Sequence, residues 1–122
     1  MKELKYFVHD KTCPIRDILC RLGDKWSLLV LVTLSANGTM RFNEIQKSIG
    51  DISQRMLSVT LRSLEANGVV GKKIYPEVPP RVEYDLTKSG EELIVHLNHL
   101  IDWALANAEN ILAARRLYGS KQ

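Results

Sequence analysis

The sequence predicts a mainly α-helical domain with one small antiparallel β-hairpin. Apolar residues recur at helical spacing along most of the 122-residue chain, and two of the predicted helices are separated only by a short turn at Gly50-Asp51. A β-rich segment follows them directly, with Pro79-Pro80 marking the tip or the end of its loop. This order of helix, turn, helix and hairpin predicts a winged helix-turn-helix.

The chain starts with a polar arm, residues 1–12, followed by a first helix. Proline is favoured in the first turn of a helix, so Cys13-Pro14 opens this helix and Gly23 ends it. We expect its inward face to consist of Ile15, Ile18, Leu19 and Leu22. The arm is expected to pack on a partner subunit or on the C-terminal helix through its apolar residues Leu4, Tyr6, Phe7 and Val8.

The second helix is expected at the centre of the domain. Asp24 is a favoured N-cap for a helix over residues 25–35. Apolar side chains surround most of this helix: one face carries Trp26, Leu29, Val30 and Thr33, and the rest carries Leu28, Leu31 and Leu34. Asn37-Gly38 then predicts a tight turn, and residues 39–42 predict a short third strand beside the hairpin.

The third and fourth helices form the predicted helix-turn-helix. The third starts after Asn43, a good N-cap, and directs Ile45 and Ile49 inward. Ser53 caps the fourth helix, and Asn67-Gly68 ends it. The fourth helix is expected to bury a stripe at helical spacing, formed by Leu57, Leu61 and Leu64.

The side of the fourth helix opposite this stripe, here called its outer face, consists of Arg55, Ser58, Val59 and Arg62. Arginine can donate two hydrogen bonds to O6 and N7 of guanine. Serine can form a hydrogen bond with a base edge or a phosphate, and valine can contact the methyl of thymine. These four residues, with Ser53 and Gln54 at the helix start, are candidate contacts for the major groove of double-stranded DNA. The alternative is an ordinary solvated helix, because arginines often occupy such faces.

The hairpin favours the DNA interpretation over the solvated helix. Its first strand draws on Val69, Val70, Ile74, Tyr75 and Val78, and the return strand alternates Val82, Tyr84 and Leu86. Basic residues lie along this ribbon and on its flank, where a wing would approach the DNA backbone. The candidate phosphate contacts are Arg41, Lys72, Lys73 and Arg81.

A long C-terminal helix, residues 87–116, is predicted after the winged helix-turn-helix core of residues 13–86, with Thr87 as its N-cap and residues 115–122 frayed. A seam suited to a partner helix runs along it through Leu97, Ile101, Ala104, Leu105, Ala108 and Ile111. Three further leucines widen the seam: Leu93, Leu100 and Leu112. We expect a two-fold homodimer whose recognition helices meet successive major-groove turns of a pseudo-palindromic operator. The alternative is a helix that folds back on its own core.

Length and composition indicate one ordinary globular domain, with 45% hydrophobic and 25% charged residues. No apolar run approaches the about 20 residues that a membrane span needs, and the N-terminus lacks an apolar leader, so we expect a cytoplasmic protein. The net charge of +3 is unevenly distributed, since residues 1–40, 41–81 and 82–122 carry +2, +3 and −2. The helix-turn-helix and hairpin are therefore the most basic part, as an interface with phosphates requires.

Several blocks of the sequence resemble the HxlR-type winged-helix regulators of bacteria and archaea. In order, they are CPIRDILCRLGDKWSLLVLVTL, RFNEI, ISQRMLSVTLRSLEANGVV and YPEVPPRVEYDLTKSG. The resemblance covers roughly residues 13–105. It implies a homodimeric transcription factor, distantly like the MarR group, that dimerises through its terminal helices.

Cys13 is the one candidate for chemistry. It opens a helix close to Lys11 and Arg16, and each of these features favours a reactive thiolate. HxlR-type regulators retain a cysteine here that senses oxidants or electrophiles in several members, so the resemblance implies a sensor; the alternative is a residue that only caps and packs. Cys20 lies about 10 Å further along the same helix, too far for a disulfide with Cys13 within it.

No cofactor or metal site is predicted, because the two cysteines lack the spacing that brings zinc ligands together. Two other functions stay open. A winged helix that binds protein would show salt-insensitive binding, unlike one that contacts phosphates. A thiol enzyme would pair Cys13 with His9, His96 or His99, but the sequence has no phosphate-binding loop and no nucleophile-elbow motif. The sequence thus predicts a DNA-binding regulator rather than an enzyme.

Overall fold

The computed structural model describes Lys11 and residues 13–120. In chain order these residues form α1 (Pro14–Leu22), α2 (Lys25–Asn37), β1 (Met40–Arg41), α3 (Phe42–Ile49), α4 (Gln54–Ala66), β2 (Val70–Tyr75), β3 (Arg81–Leu86) and α5 (Lys88–Ser120). The predicted fold class, mainly helical with a small antiparallel sheet, is confirmed. The predictions for the N-terminal arm fall almost entirely outside the described residues.

Helix α2 lies at the centre, as predicted. Val30, Leu31 and Leu34 are almost completely buried, and the helix contacts α3, α4, α5 and β3. The other members of the core come from every neighbouring element: Met40, Ile45, Ile52, Leu57, Leu61, Leu64, Val69, Val70, Ile94 and Leu97. One continuous core therefore holds the helix-turn-helix, the sheet and the start of α5 together.

Side chains cap three of the helices at the predicted residues. The Asp24 carboxylate accepts the N–H of Ser27 at 3.0 Å, and the Ser53 hydroxyl accepts the N–H of Met56 at 3.0 Å. The Thr87 hydroxyl accepts the N–H of Gly90 at 3.1 Å. Each bond satisfies one of the backbone donors that a helix start leaves without a partner.

The sheet has the strand order β1-β3-β2, with both pairs antiparallel. Tyr84 in the central strand pairs with Met40 on one side and with Lys72 on the other. The short third strand predicted beside the hairpin is therefore present. We call β2, β3 and the connecting residues 76–80 the wing.

The predicted start of α3 after Asn43 is wrong. The helix begins at Phe42, and Arg41 is its N-cap residue. The carboxylate of Glu44 accepts the N–H of Arg41 at 2.8 Å, which satisfies the backbone donor at the helix start. The favourable N-cap propensity of Asn43 is overridden by the strand β1, which fixes where the chain turns into the helix.

The predicted inward face of α1 is also wrong for this chain. Ile15, Ile18 and Leu19 are exposed, and only Leu22 packs against the core. Helical periodicity identifies an apolar face, but it does not say whether the chain itself covers that face.

The predicted fraying of residues 115–122 is wrong as far as Ser120, where α5 ends. The last described turns contain good helix formers such as Arg115, Arg116 and Leu117, and Gly119 is the first residue of this end that disfavours a helix. Residues 121 and 122 lie outside the described residues.

Candidate nucleic-acid interface

Helix α4 presents the predicted outer face. Its leucine stripe is buried, with Leu57, Leu61 and Leu64 all inside the core. On the opposite side the residues predicted to contact DNA line one open depression of ≈ 740 Å³: Ser53, Gln54, Arg55, Ser58, Val59 and Arg62. The structure thus brings all six predicted residues of this helix together on one accessible surface.

The two arginines of the outer face differ in their surroundings. Arg62 donates a hydrogen bond from Nη2 to the hydroxyl of Ser58 at 3.1 Å. Within the described part of the chain, the guanidinium of Arg55 has no hydrogen-bond or ion-pair partner. Arg55 is therefore free to bind a ligand, whereas Arg62 is already oriented by its own helix.

Tyr84, in the central strand of the sheet, lies within reach of charges on α4. Partial burial raises the pKa of its phenol, the carboxylate of Glu65 raises it further, and the guanidinium of Arg62 opposes both effects. The charges of α4 therefore act on Tyr84, which is the direct cross-strand neighbour of Lys72. The sequence analysis missed this link, because only the strand register reveals it.

Arg81 is held inside the wing. Its guanidinium lies 3.9 Å from the centre of the Tyr75 ring, and Nη2 forms an ion pair with Glu77 at 3.3 Å. The side chain is 31% exposed, in contrast to the exposed Lys72 and Lys73. Arg41, the fourth predicted phosphate contact, is exposed where β1 meets α3.

Apolar side chains are exposed on α1 and on α5, and together they are called the apolar surface of these two helices. On α5, Ile101, Ala104 and Leu105 are exposed, whereas Ala108 and Ile111 are half-buried. Leu97, also predicted for a partner seam, packs instead into the core of its own chain. Between α2 and α5 the surface forms a purely apolar groove of ≈ 200 Å³, lined by Leu28, Leu29, Val32, Leu97, Leu100 and Ile101.

Cys13 is the N-cap residue of α1, and its thiol is buried without making a capping hydrogen bond. Cys20 is exposed on α1. His96 and His99 are exposed on α5, and His9 lies outside the described residues.

No three His, Cys, Asp or Glu side chains converge as metal ligands in the range that the structure covers. Of the helices described, none is long and apolar enough to cross a membrane.

Comparison with known proteins gives a consistent result. The family model for the HxlR-like helix-turn-helix matches residues 21–111. An uncharacterised HTH-type transcriptional regulator of Methanothermobacter thermautotrophicus is 43% identical over 110 residues, which is 90% of this chain and 75% of the relative.

Solved structures agree with the sequence relatives. The protein ytfH of Salmonella typhimurium, named as a transcriptional regulator, is 38% identical with a TM-score of 0.78, over 87% of this chain and 94% of its own. The redox regulator HypR in its reduced form is 35% identical with a TM-score of 0.75, over 83% and 99% of the two chains. The chain therefore belongs to the HxlR-like helix-turn-helix family of transcriptional regulators.

Proposed function

We propose that this regulator binds double-stranded DNA in a sequence-specific manner, as a homodimer on a pseudo-palindromic operator. The observation that carries the proposal is the outer face of α4, which is open and basic and is followed directly by a wing that carries further basic residues. A helix of this kind fits the major groove, and its family membership supports the same use. Such a protein acts in the cytoplasm, where prokaryotic DNA lies.

Each group on the outer face has a role in this proposal. Arg55 forks onto a guanine, while Val59 contacts the methyl of a thymine. Arg62 and Ser58 act as a pair that is already bonded. Ser53 and Gln54, at the positive N-terminal end of α4, bind the phosphate backbone together with the exposed Arg41.

The homodimer is proposed from the apolar surface of α1 and α5. A single chain leaves Ile15, Ile18, Trp103 and Leu105 exposed, a cost that a partner subunit would remove. A second copy of the chain is the simplest partner, because two-fold symmetry would bring the apolar surface of one subunit against the same surface of the other. It would also place two copies of α4 on one side of the dimer, as a palindromic site requires.

We further propose that oxidation or electrophile modification of Cys13 switches DNA binding. Cys13 starts α1, whose exposed apolar side chains belong to the proposed dimer surface. A group attached to this buried thiol would displace α1 and change the spacing of the two recognition helices. The similarity to HypR, a redox regulator, supports a thiol switch.

The test is selection of bound sequences from a random pool of duplex DNA, followed by titration at several salt concentrations. We expect a two-fold symmetric motif and an affinity that falls steeply with salt. Recovery of no motif, together with weak and salt-insensitive binding, would contradict the proposal and favour a winged helix that binds protein.

A further inference from the structure

The two adjacent lysines of β2 lie on opposite faces of the wing. Lys72 is directly opposite Tyr84, and Lys73 is directly opposite Glu83. Residues directly opposite each other share a face of the sheet, and successive residues alternate between faces. The wing therefore has a Lys72 face and a Lys73 face, each with its own chemistry.

The Lys72 face is the side of the wing that is turned toward the core, and α4 contacts β2. Near the base of the wing this face packs against the core through Val70 and Leu86. Tyr84 follows, where the charges of Arg62 and Glu65 reach it. Lys72 is the single charged residue among the β2 and β3 positions of this face, and its ammonium has no ion-pair partner within the described part of the chain.

The Lys73 face is occupied by an internal cluster. The guanidinium of Arg81 stacks on Tyr75 at 3.9 Å, and its nitrogens reach Glu77 at 3.3 Å and Glu83 at 3.6 Å. The ammonium of Lys73 lies 5.0 Å from the centre of the same ring. Within the described part of the chain, Arg81 Nε is buried and makes no hydrogen bond.

The charges of the two faces differ in their balance. On the Lys73 face, two cations are opposed by three carboxylates, Glu77, Glu83 and Asp85. A phosphate approaching Arg81 would be repelled by these carboxylates and would have to displace two of them from the guanidinium. At Lys72 a phosphate would have no carboxylate to displace from an ion pair, since this ammonium forms none with the described residues.

We propose that the wing meets the DNA backbone with its Lys72 face, and that Lys73 and Arg81 lie on the side turned away from the phosphates. The inference rests on the proposed DNA binding and assigns one surface of the wing to it. The cluster around Arg81 then stiffens the tip instead of binding DNA: stacking on Tyr75 joins the ends of the two strands, and the ion pair with Glu77 holds the loop of residues 76–80 to β3.

The matched variants Lys72→Gln and Lys73→Gln test this inference, because each removes the same charge from neighbouring exposed positions. Affinity for the selected operator is measured between about 50 and about 200 mM salt. Each phosphate contact makes the fall of log affinity with log salt steeper by about 0.9. The loss of one contact in each of two wings therefore makes this dependence less steep by about 1.8. Between these two salt concentrations, Lys72→Gln should lose about tenfold less affinity than the parent protein loses. Lys73→Gln should show the same slope as the parent protein.

Arg81→Gln provides the second comparison. Its affinity should fall if the tip loosens, but its salt slope should equal that of the parent, because no phosphate contact is lost. The inference would be overturned if Lys73→Gln or Arg81→Gln showed a less steep salt dependence than the parent protein. It would also be overturned if Lys72→Gln showed the same salt dependence as the parent. A parent protein that binds DNA without salt dependence would instead contradict the proposed function itself.

Discussion

Arg62 is tied to Ser58 one helical turn earlier, through an Nη2–Oγ hydrogen bond of 3.1 Å. Two of the four residues on the outer face of α4 are therefore paired before any ligand binds. The pair fixes the direction of the Arg62 guanidinium and lowers the conformational entropy that binding would cost. Arg55, which has no such partner among the described residues, is the side chain on this face that can rotate to a base.

Arg55→Ala should weaken binding to the selected operator by about 1–3 kcal/mol for each half-site and relax the preference at one base pair of each half-site. The measurement is the affinity for operators that carry each of the four base pairs at that position. Arg116→Ala is the matched control, since Arg116 is equally exposed but lies near the far end of α5. An equal loss for all four base pairs would mean that Arg55 contacts phosphate.

Gly90→Ala should destabilise the junction between the wing and α5. A Cβ at this position would collide with the carbonyl oxygen of Val69, which already accepts the N–H of Thr87 at 3.1 Å. Because the backbone must move, we expect a loss of about 1–3 kcal/mol in the free energy of unfolding, measured by urea titration at fixed protein concentration.

Gly119→Ala is the matched control, the same substitution in the same helix. Among the described residues, and apart from the chain neighbours and the backbone of its own helix, no atom lies within 4 Å of the new Cβ at Gly119. Alanine favours the helix by up to about 1 kcal/mol over glycine. The two variants should thus change stability in opposite directions. Equal stability of Gly90→Ala and the parent would mean that α5 does not approach Val69 as closely as described.

The starts of α2, α4 and α5 could be predicted from the sequence because capping is local, whereas the start of α3 depends on the strand β1. Asp24, Ser53 and Thr87 each bind a backbone N–H three residues ahead, so a short window of sequence contains the whole interaction. The leucine stripe of α4 was predictable for the same reason, since its period is a property of one helix.

The arrangement of the wing could not be predicted in this way. Arg81 meets Tyr75 only because the turn of residues 76–80 sets the cross-strand register, and register depends on the conformation of that turn. The exposed face of α1 shows a second limit: the pattern of Ile15, Ile18 and Leu19 specifies an apolar surface but not the chain that covers it.

Leu105→Glu should convert the proposed dimer into monomers. Leu105 is 73% exposed on α5, and a two-fold interface would bury two copies of it, each worth about 1.5–3 kcal/mol. We therefore expect the dissociation constant of the dimer to rise at least about a hundredfold, as measured by sedimentation equilibrium.

Ala106→Glu is the control for Leu105→Glu, because it places the same charge on the side of α5 opposite Leu97. This variant should remain a dimer. If both variants sediment as the parent protein does, α5 is not the dimer interface, and the exposed residues of α1 would have to supply it alone.

Cys13→Ser should keep DNA affinity without oxidant and abolish the release of DNA that hydrogen peroxide causes in the parent. Cys13 is 4% exposed within its chain and N-caps α1, so an oxidised or disulfide-bonded sulfur does not fit without moving that helix. Serine preserves the size of the group and removes its oxidation chemistry. The measurement is operator binding by fluorescence anisotropy before and after oxidant.

Cys20→Ser distinguishes the possible products of oxidation. The two cysteines of one chain lie about 10 Å apart along the helix axis and cannot pair while α1 is intact. If release is lost in Cys20→Ser as well, the switch is a disulfide between Cys13 of one subunit and Cys20 of the other. If release persists in Cys20→Ser but not in Cys13→Ser, Cys13 acts through its own adduct or through its symmetry mate, and the mass of the oxidised protein separates these two products. Release that persists in Cys13→Ser would remove this thiol from the mechanism.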